Sequence, residues 1–159
     1  MNVYQAVRER VKVLYYRMKY KKKFTHGKDL RFRDGFHVLI VDGGKVRLGN
    51  NVFFNNDCSI NCMAEVTVGD NCMFGESVKI YDHNHIYADV NKPIHEQGFK
   101  VGPVKIGNNC WLGSNVTILQ GVTIGDNCVI GANALIFKDV PSGSIVMHRE
   151  DLIIKKREE

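Results

Sequence analysis

The chain has no run of about 18 apolar residues, the length that a membrane-crossing helix needs. Its basic beginning is followed by neither an apolar core nor a small-residue cleavage site, so it does not read as a secretory leader, and the cytoplasm is the expected location. Cysteine pairs of the CxxC type are missing and the five cysteines are odd in number, which argues against a disulfide framework and a structural zinc site. Acid is scarce at the start. Between Met1 and Phe24, Arg8, Arg10, Lys12, Arg17, Lys19, Lys21, Lys22 and Lys23 are opposed by Glu9 alone, a local excess within a net charge of +5. No recognised nucleic-acid motif or aromatic stacking array accompanies that excess, so a nucleic-acid partner is not expected.

What is present is a repeat. Ile106, Leu112, Ile118, Ile124, Ile130 and Ile136 recur every sixth residue, with Val104, Cys110, Val116, Val122, Cys128 and Ala134 two places before each. A period of six is neither helical nor a simple alternation. It describes a solenoid with three flat faces, in which three hexads make one coil and each coil must stack on the next to bury a core. Earlier hexads run through Val46/Leu48, Val52/Phe54 and Cys58/Ile60, slip by two residues around 61–65, and resume at Val66/Val68, Cys72/Phe74 and Val78/Ile80. Cys58, Cys72, Cys110 and Cys128 take the small inward position as compact apolar groups, and Cys62 alone lies off register.

The flanks differ from the repeat. Val3, Val7, Val11, Leu14, Tyr15 and Met18 fall on one side of a 3.6-residue period, so roughly the first twenty residues read as an amphipathic helix with a cationic reverse face. Either the apolar side packs on the rod and the cations are solvated, or the helix lies at an anionic membrane surface. The expected division is a basic helix and connector over 1–36, a repeat domain over 37–141 with an insertion at 81–103, and a tail over 142–159 whose Leu152-Ile-Ile154 forms a last strand or short helix. The insertion holds three of the six histidines, His83, His85 and His95, and loops of that length are commonly functional.

The phrases Ile106-Gly-Asn-Asn-Cys-Trp-Leu-Gly-Ser114, Gly121-Val-Thr-Ile-Gly-Asp-Asn127, Ile130-Gly-Ala and Lys138-Asp-Val-Pro141 resemble the hexapeptide-repeat acyltransferases, in particular the galactoside and maltose acetyltransferase branch. The resemblance runs with gaps from about Val46 to Pro141. It implies an all-β, left-handed parallel β-helix assembled as a homotrimer that transfers acetyl from acetyl-CoA without a metal. The family's general base is a single His at the start of the excursion, a role that falls on His85 when aligned from Ile80, with His83 a second imidazole close by and Ile86 in place of the usual Pro. An imidazole has the pKa such a base needs at neutral pH, and Asp82 or Glu96 would orient it. By the same resemblance Trp111 lies beside the thioester, the Ser114 N–H faces the acetyl oxygen and Asn55 meets the acceptor. Ala132 and Phe137 would follow the pantetheine arm, Lys138 the phosphates, and Lys155 or Arg149 the nucleotide end, where Met147-His-Arg-Glu-Asp151 replaces the family's Gly-x-Pro-Ala.

The expected activity is therefore O-acetylation of a sugar, in surface polysaccharide or lipid-linked precursor synthesis at the inner membrane face. N-acetylation of an amino sugar nucleotide and O-acetylation of serine stand as alternatives. A γ-type carbonic anhydrase would need imidazoles from His83, His85 and His95 and also from the partner hexads, but no His occurs between Ile106 and Pro141. A scaffold without catalysis would leave the Trp111 to Ser114 phrase unexplained.

Overall fold

The computed structural model describes residues 3–147. The chain winds into a parallel β-solenoid with three sheets, here called faces A, B and C, of five, six and five strands. Face A runs Phe24–His26, Lys45–Leu48, Glu65–Val68, Val104–Ile106 and Thr123–Ile124, and face B runs from Arg31–Phe32 to Ile145–Val146. Face C runs from His37–Ile40 through Ser59–Cys62, Lys79–Tyr81 and Thr117–Ile118 to Leu135–Ile136. Among the described residues, no helix is long and apolar enough to cross a membrane.

Every inward residue of the hexads is buried. In the first coils the core is a column of rings, with Phe36 on Phe54 at 4.6 Å and Phe54 on Phe74 at 4.3 Å, and farther along Val, Ile and Cys replace the rings. The thiols of Cys58, Cys72, Cys110 and Cys128 each donate to a carbonyl of the next coil, as from Cys58 to Gly75 at 3.0 Å and from Cys110 to Gly125 at 3.1 Å, whereas that of Cys62 donates back to Lys45 O at 3.3 Å. Burial pushes the thiols of Cys58 and Cys72 up to about 11 and that of Cys62, which also faces Asp82, to about 12. An unfolded thiol ionises near pH 8.5, so these groups stabilise the fold fully below that pH and lose their contribution as pH rises toward 11 or 12. The expected result is a melting temperature that falls steadily above about pH 9. A flat profile to pH 10.5 would contradict it.

The corners turn on residues in the left-handed region. Asn51, Asn71, Asn109 and Asn127, with φ of 53° to 58°, occupy successive coils at the corner between faces A and B. Asparagine tolerates that region better than other side chains with a Cβ. Its amide also links coils, as where Asn51 Nδ2 donates to Asn71 Oδ1 at 2.9 Å.

Three features depart from the reading of the sequence. The winding begins earlier than 37: Phe24–His26 pairs with Val46–Leu48 and Arg31–Phe32 with Phe53–Phe54, so most of the expected connector is already the first coil. Cys62 is not off register. It continues the alternation of Ile60 in a longer strand paired with His37–Ile40, and the slip is a corner at Met63 and Ala64. The third is the helix, Val3–Tyr20, whose inward face is not the apolar stripe but Glu9, Tyr16 and Tyr20.

The reason for that inversion lies in the edge of the first coil. An open parallel edge presents N–H and C=O groups that must be satisfied. Tyr16 Oη accepts from Val38 N–H at 3.1 Å and donates to Phe36 O at 3.3 Å, Tyr20 Oη donates to Val38 O at 3.1 Å, and Glu9 Oε1 accepts from Phe32 N–H at 3.3 Å. Valine and leucine make no such bonds. The face that meets the edge therefore carries polar tips on apolar bodies, and the aliphatic stripe is turned outward.

Candidate active site

The excursion leaves the rod after face C of the third coil and returns to face A of the fourth. It is a hairpin, with His83–His85 antiparallel to Phe99–Val101, and its base is stapled by Gly102 N–H donating to Asp82 O at 2.8 Å. Asp82 is fully buried and uses both carboxylate oxygens on backbone, accepting from Met63 N–H at 2.8 Å and Ala64 N–H at 2.7 Å. Those two N–H groups belong to the corner of the preceding coil, so the same carboxylate closes that corner and anchors the loop. Its Oδ1 also meets His83 Nδ1 at 3.0 Å.

The two histidines point to the same side of their strand and share one neighbour. His83 packs edge-on against Phe99 at 5.5 Å, and His85 lies over the same ring at 4.4 Å. The His83 side chain is 19% exposed and held by Asp82, whereas His85 is exposed. Asp82, His83 and Phe99 thus form a pedestal beneath the His85 ring. Glu96 is not part of it, being 3.6 Å from the exposed His95 on the far turn of the loop. Among the described residues no three of His, Cys, Asp or Glu come together as a metal would require.

Trp111 and Ser114 stand elsewhere. Trp111 is on face B, 53% exposed, in line with Met73 below and Val129 above. Ser114 is at the corner between faces B and C, so all of face C separates it from the hairpin within one chain. Coils approach closely at this corner, where a Cβ on Gly113 would lie 2.7 Å from the Ala132 nitrogen.

The hydrogen bonding at this corner leaves the Ser114 N–H exposed. At the corner between A and B, each N–H is taken by a side chain of the next coil: Asn50 by Asp70 at 2.7 Å, Asp70 by Asn108 at 2.8 Å, Asn108 by Asp126 at 2.6 Å and Asp126 by Ser142 at 3.0 Å. At the corner between B and C, Asn56 takes the N–H of Asp34 at 3.2 Å and Ser114 Oγ that of Glu76 at 3.3 Å. The next residue in the column is Ala132, which has no acceptor, and among the described residues the Ser114 N–H is bonded to nothing. Asn55 lies at the same corner two coils earlier, and its Oδ1 is occupied by the N–H of Asn56 at 2.9 Å.

Ala132, Phe137 and Lys138 are exposed on the last coils, with the Lys138 ammonium 5.6 Å over the Phe137 ring. Phe137 and Lys138 border a shallow hollow of about 170 Å³ with Leu135 and Val140. Lys155 and Arg149, and the stretch 152–154, lie outside the described residues.

Comparison with known proteins agrees with this architecture. Residues 103–138 match the family described as bacterial transferase hexapeptide (six repeats). Nodulation protein L of Rhizobium meliloti (strain 1021) is 45% identical over 107 residues, 66% of this chain and 56% of that protein. The crystal structure of a hexapeptide-repeat-containing acetyltransferase from Vibrio cholerae O1 biovar eltor, complexed with acetyl coenzyme A, superposes with a TM-score of 0.73 at 29% identity, covering 86% of this chain and 71% of that one. A galactoside acetyltransferase in complex with coenzyme A gives 0.70 at 31% identity, covering 84% and 65%. The chain spans between 38% and 56% of the length of the first curated relatives it matches. The winding, the corner columns and the matched run are all in agreement: this chain carries the bacterial transferase hexapeptide repeat over residues 103–138.

Proposed function

We propose that this protein is an acetyl-CoA-dependent O-acetyltransferase acting on a sugar hydroxyl, in the synthesis of a surface polysaccharide or its lipid-linked precursor at the inner membrane face. The observation that carries the reading is the Ser114 N–H, unbonded among the described residues and three positions from Trp111, at a step of its corner column where the next coil has Ala132 and no acceptor. The acetyl-CoA and coenzyme A bound by the two structural neighbours support the donor, and the galactoside acetyltransferase supports a sugar acceptor.

In this mechanism His85 removes the acceptor hydroxyl proton as the oxygen attacks the thioester carbonyl. Negative charge gathers on the carbonyl oxygen, where the Ser114 N–H donates to it. Collapse of the tetrahedral adduct breaks the carbon–sulfur bond, and the departing thiolate takes the proton from the imidazolium. Trp111 flanks the reacting thioester, Ala132 and Phe137 lie along the pantetheine arm, and Lys138 meets the phosphates. Asn55 orients the acceptor through its amide nitrogen, since its oxygen is already used.

The hairpin and Ser114 leave the rod at different corners, which supports a site shared between neighbouring chains of a trimer. Release of the coenzyme A thiol from acetyl-CoA, compared across sugars, amino sugars and serine, tests the acceptor class, and turnover with serine alone would overturn it. Assembly is tested by mixing two inactive chains, one lacking His85 and one with the Ser114 donor blocked. Randomly reassembled trimers are expected to regain roughly a quarter of the wild-type rate through their mixed sites. An active monomer in light scattering, or no recovery on mixing, would show that the site is not shared.

A further inference from the structure

We infer that the outer face of the Val3–Tyr20 helix is a docking surface for an anionic lipid bilayer. Val3, Val7, Val11, Leu14, Tyr15 and Met18 are between 53% and 78% exposed on it, because the residues that meet the rod are Glu9, Tyr16 and Tyr20. At roughly 100° per residue these side chains, with Tyr4, form one unbroken arc, bordered by Arg8, Lys12 and Lys19 on one side and by Arg10 and Arg17 on the other. The helix has a single acid, Glu9, and it is turned inward onto Phe32.

The charge on this surface selects its occupant. Arg8 is drawn to Asp34, and the ammoniums of Lys12 and Lys19 sit over Phe32 and over Tyr15 and Tyr20, but on the other border the cations line open hollows. One, of about 330 Å³, has Arg10, Arg17 and Arg31 on its wall with Leu14 against the two acids Glu9 and Asp29, and an adjoining one carries Arg17, Lys21 and Lys22 with no acid. Arginine and lysine clustered at the rim of an apolar face match phosphate headgroups above acyl chains. A second copy of the helix laid on the first would set these cations against their own kind, which disfavours self-association through this face.

The coil bearing Trp111 is three windings beyond the first, roughly 15 Å at about 4.8 Å per winding. Docking by the cap would therefore leave the site clear of the surface and open to a membrane-borne acceptor. That consequence rests on the proposed function. The docking does not, and it is measured without turnover.

The test is sedimentation of the full chain with vesicles of phosphatidylcholine alone or containing phosphatidylglycerol. Binding is expected only to the anionic vesicles and falls with added salt. Removing Arg10 and Arg17 as R10A/R17A lowers partitioning roughly fivefold per cation, and V11D/L14D abolishes it, while circular dichroism and melting stay as in the wild type because all four residues lie outside the core. Wild-type protein left in the supernatant with anionic vesicles overturns the inference. So does V11D/L14D binding as well as wild type, or V11D/L14D changing the oligomer size, which would make the face a contact between copies.

Discussion

Replacing His85 by alanine is expected to lower acetyl transfer a hundredfold or more while leaving the melting temperature nearly unchanged. The size of the loss is that of removing a general base. The indifference of stability follows from the structure, since the ring is exposed and lies over Phe99 without entering the core. His83→Ala should show the opposite balance. Its ring fills the space between Asp82 and Phe99, so its loss loosens the pedestal, with a smaller fall in rate and a clear fall in melting temperature. The ratio of the two rate losses is the measurement, taken at saturating acetyl-CoA. A larger loss from His83→Ala would move the proton to the imidazole that Asp82 holds, and equal activity of His85→Ala and wild type would remove the mechanism.

The second large effect is expected from Ala132→Ser. Serine at this place in the column is what Ser114 itself is to Glu76, whose N–H it takes at 3.3 Å. The new hydroxyl should therefore accept from the Ser114 N–H and withdraw it from the reacting carbonyl. Loss of one such donor lowers kcat on the order of 10² to 10³-fold. The added hydrogen bond stabilises the fold by about 1 kcal/mol, so a less active protein should melt slightly higher. Ala132→Val separates this account from steric blockage of the pantetheine arm, because valine adds bulk and no acceptor. A valine variant as slow as the serine variant, with a raised KM for acetyl-CoA in both, would show that bulk is responsible.

The rod was legible because its core obeys a strict count. Every inward residue assigned from the period of six is buried, from Val46 to Ile136. The same count reaches further back than the winding was expected to go. Phe24, Leu30 and Phe36 are also six apart and also buried, but Lys28, Asp29, Arg31, Arg33 and Asp34 on the outward positions give the segment the look of a polar connector. Helical periodicity misled in a different way. It identifies the apolar face of a helix, and it does not say that this face meets the core. Here the core's end is a backbone edge, so hydrogen-bonding tips on Tyr16 and Tyr20 were needed there instead.

The candidate site was legible only in part. The motif phrases marked Trp111, Ser114 and the His83 to His85 pair, whereas the opening at Ala132 depends on comparing Glu76 with Ser114 and Ser114 with Ala132, 38 and 18 positions apart, which become neighbours only when the coils are stacked. The signal was nonetheless in the sequence, as an alanine in a column otherwise filled by Asp, Asn, Glu and Ser. Asp82 likewise looked like a partner for a histidine alone. Its larger task, holding the N–H groups of Met63 and Ala64, involves residues about 20 positions away that carry no motif.

The stapled base of the excursion makes it an interchangeable part. Because Gly102 N–H bonds to Asp82 O and the next winding resumes in step, with Val104 opposite Val66, the rod registers nothing of what lies between. A lineage can lengthen, shorten or graft this hairpin without disturbing a single coil, and under the proposed mechanism would so change its choice of acceptor while the machinery for the donor stays as it was.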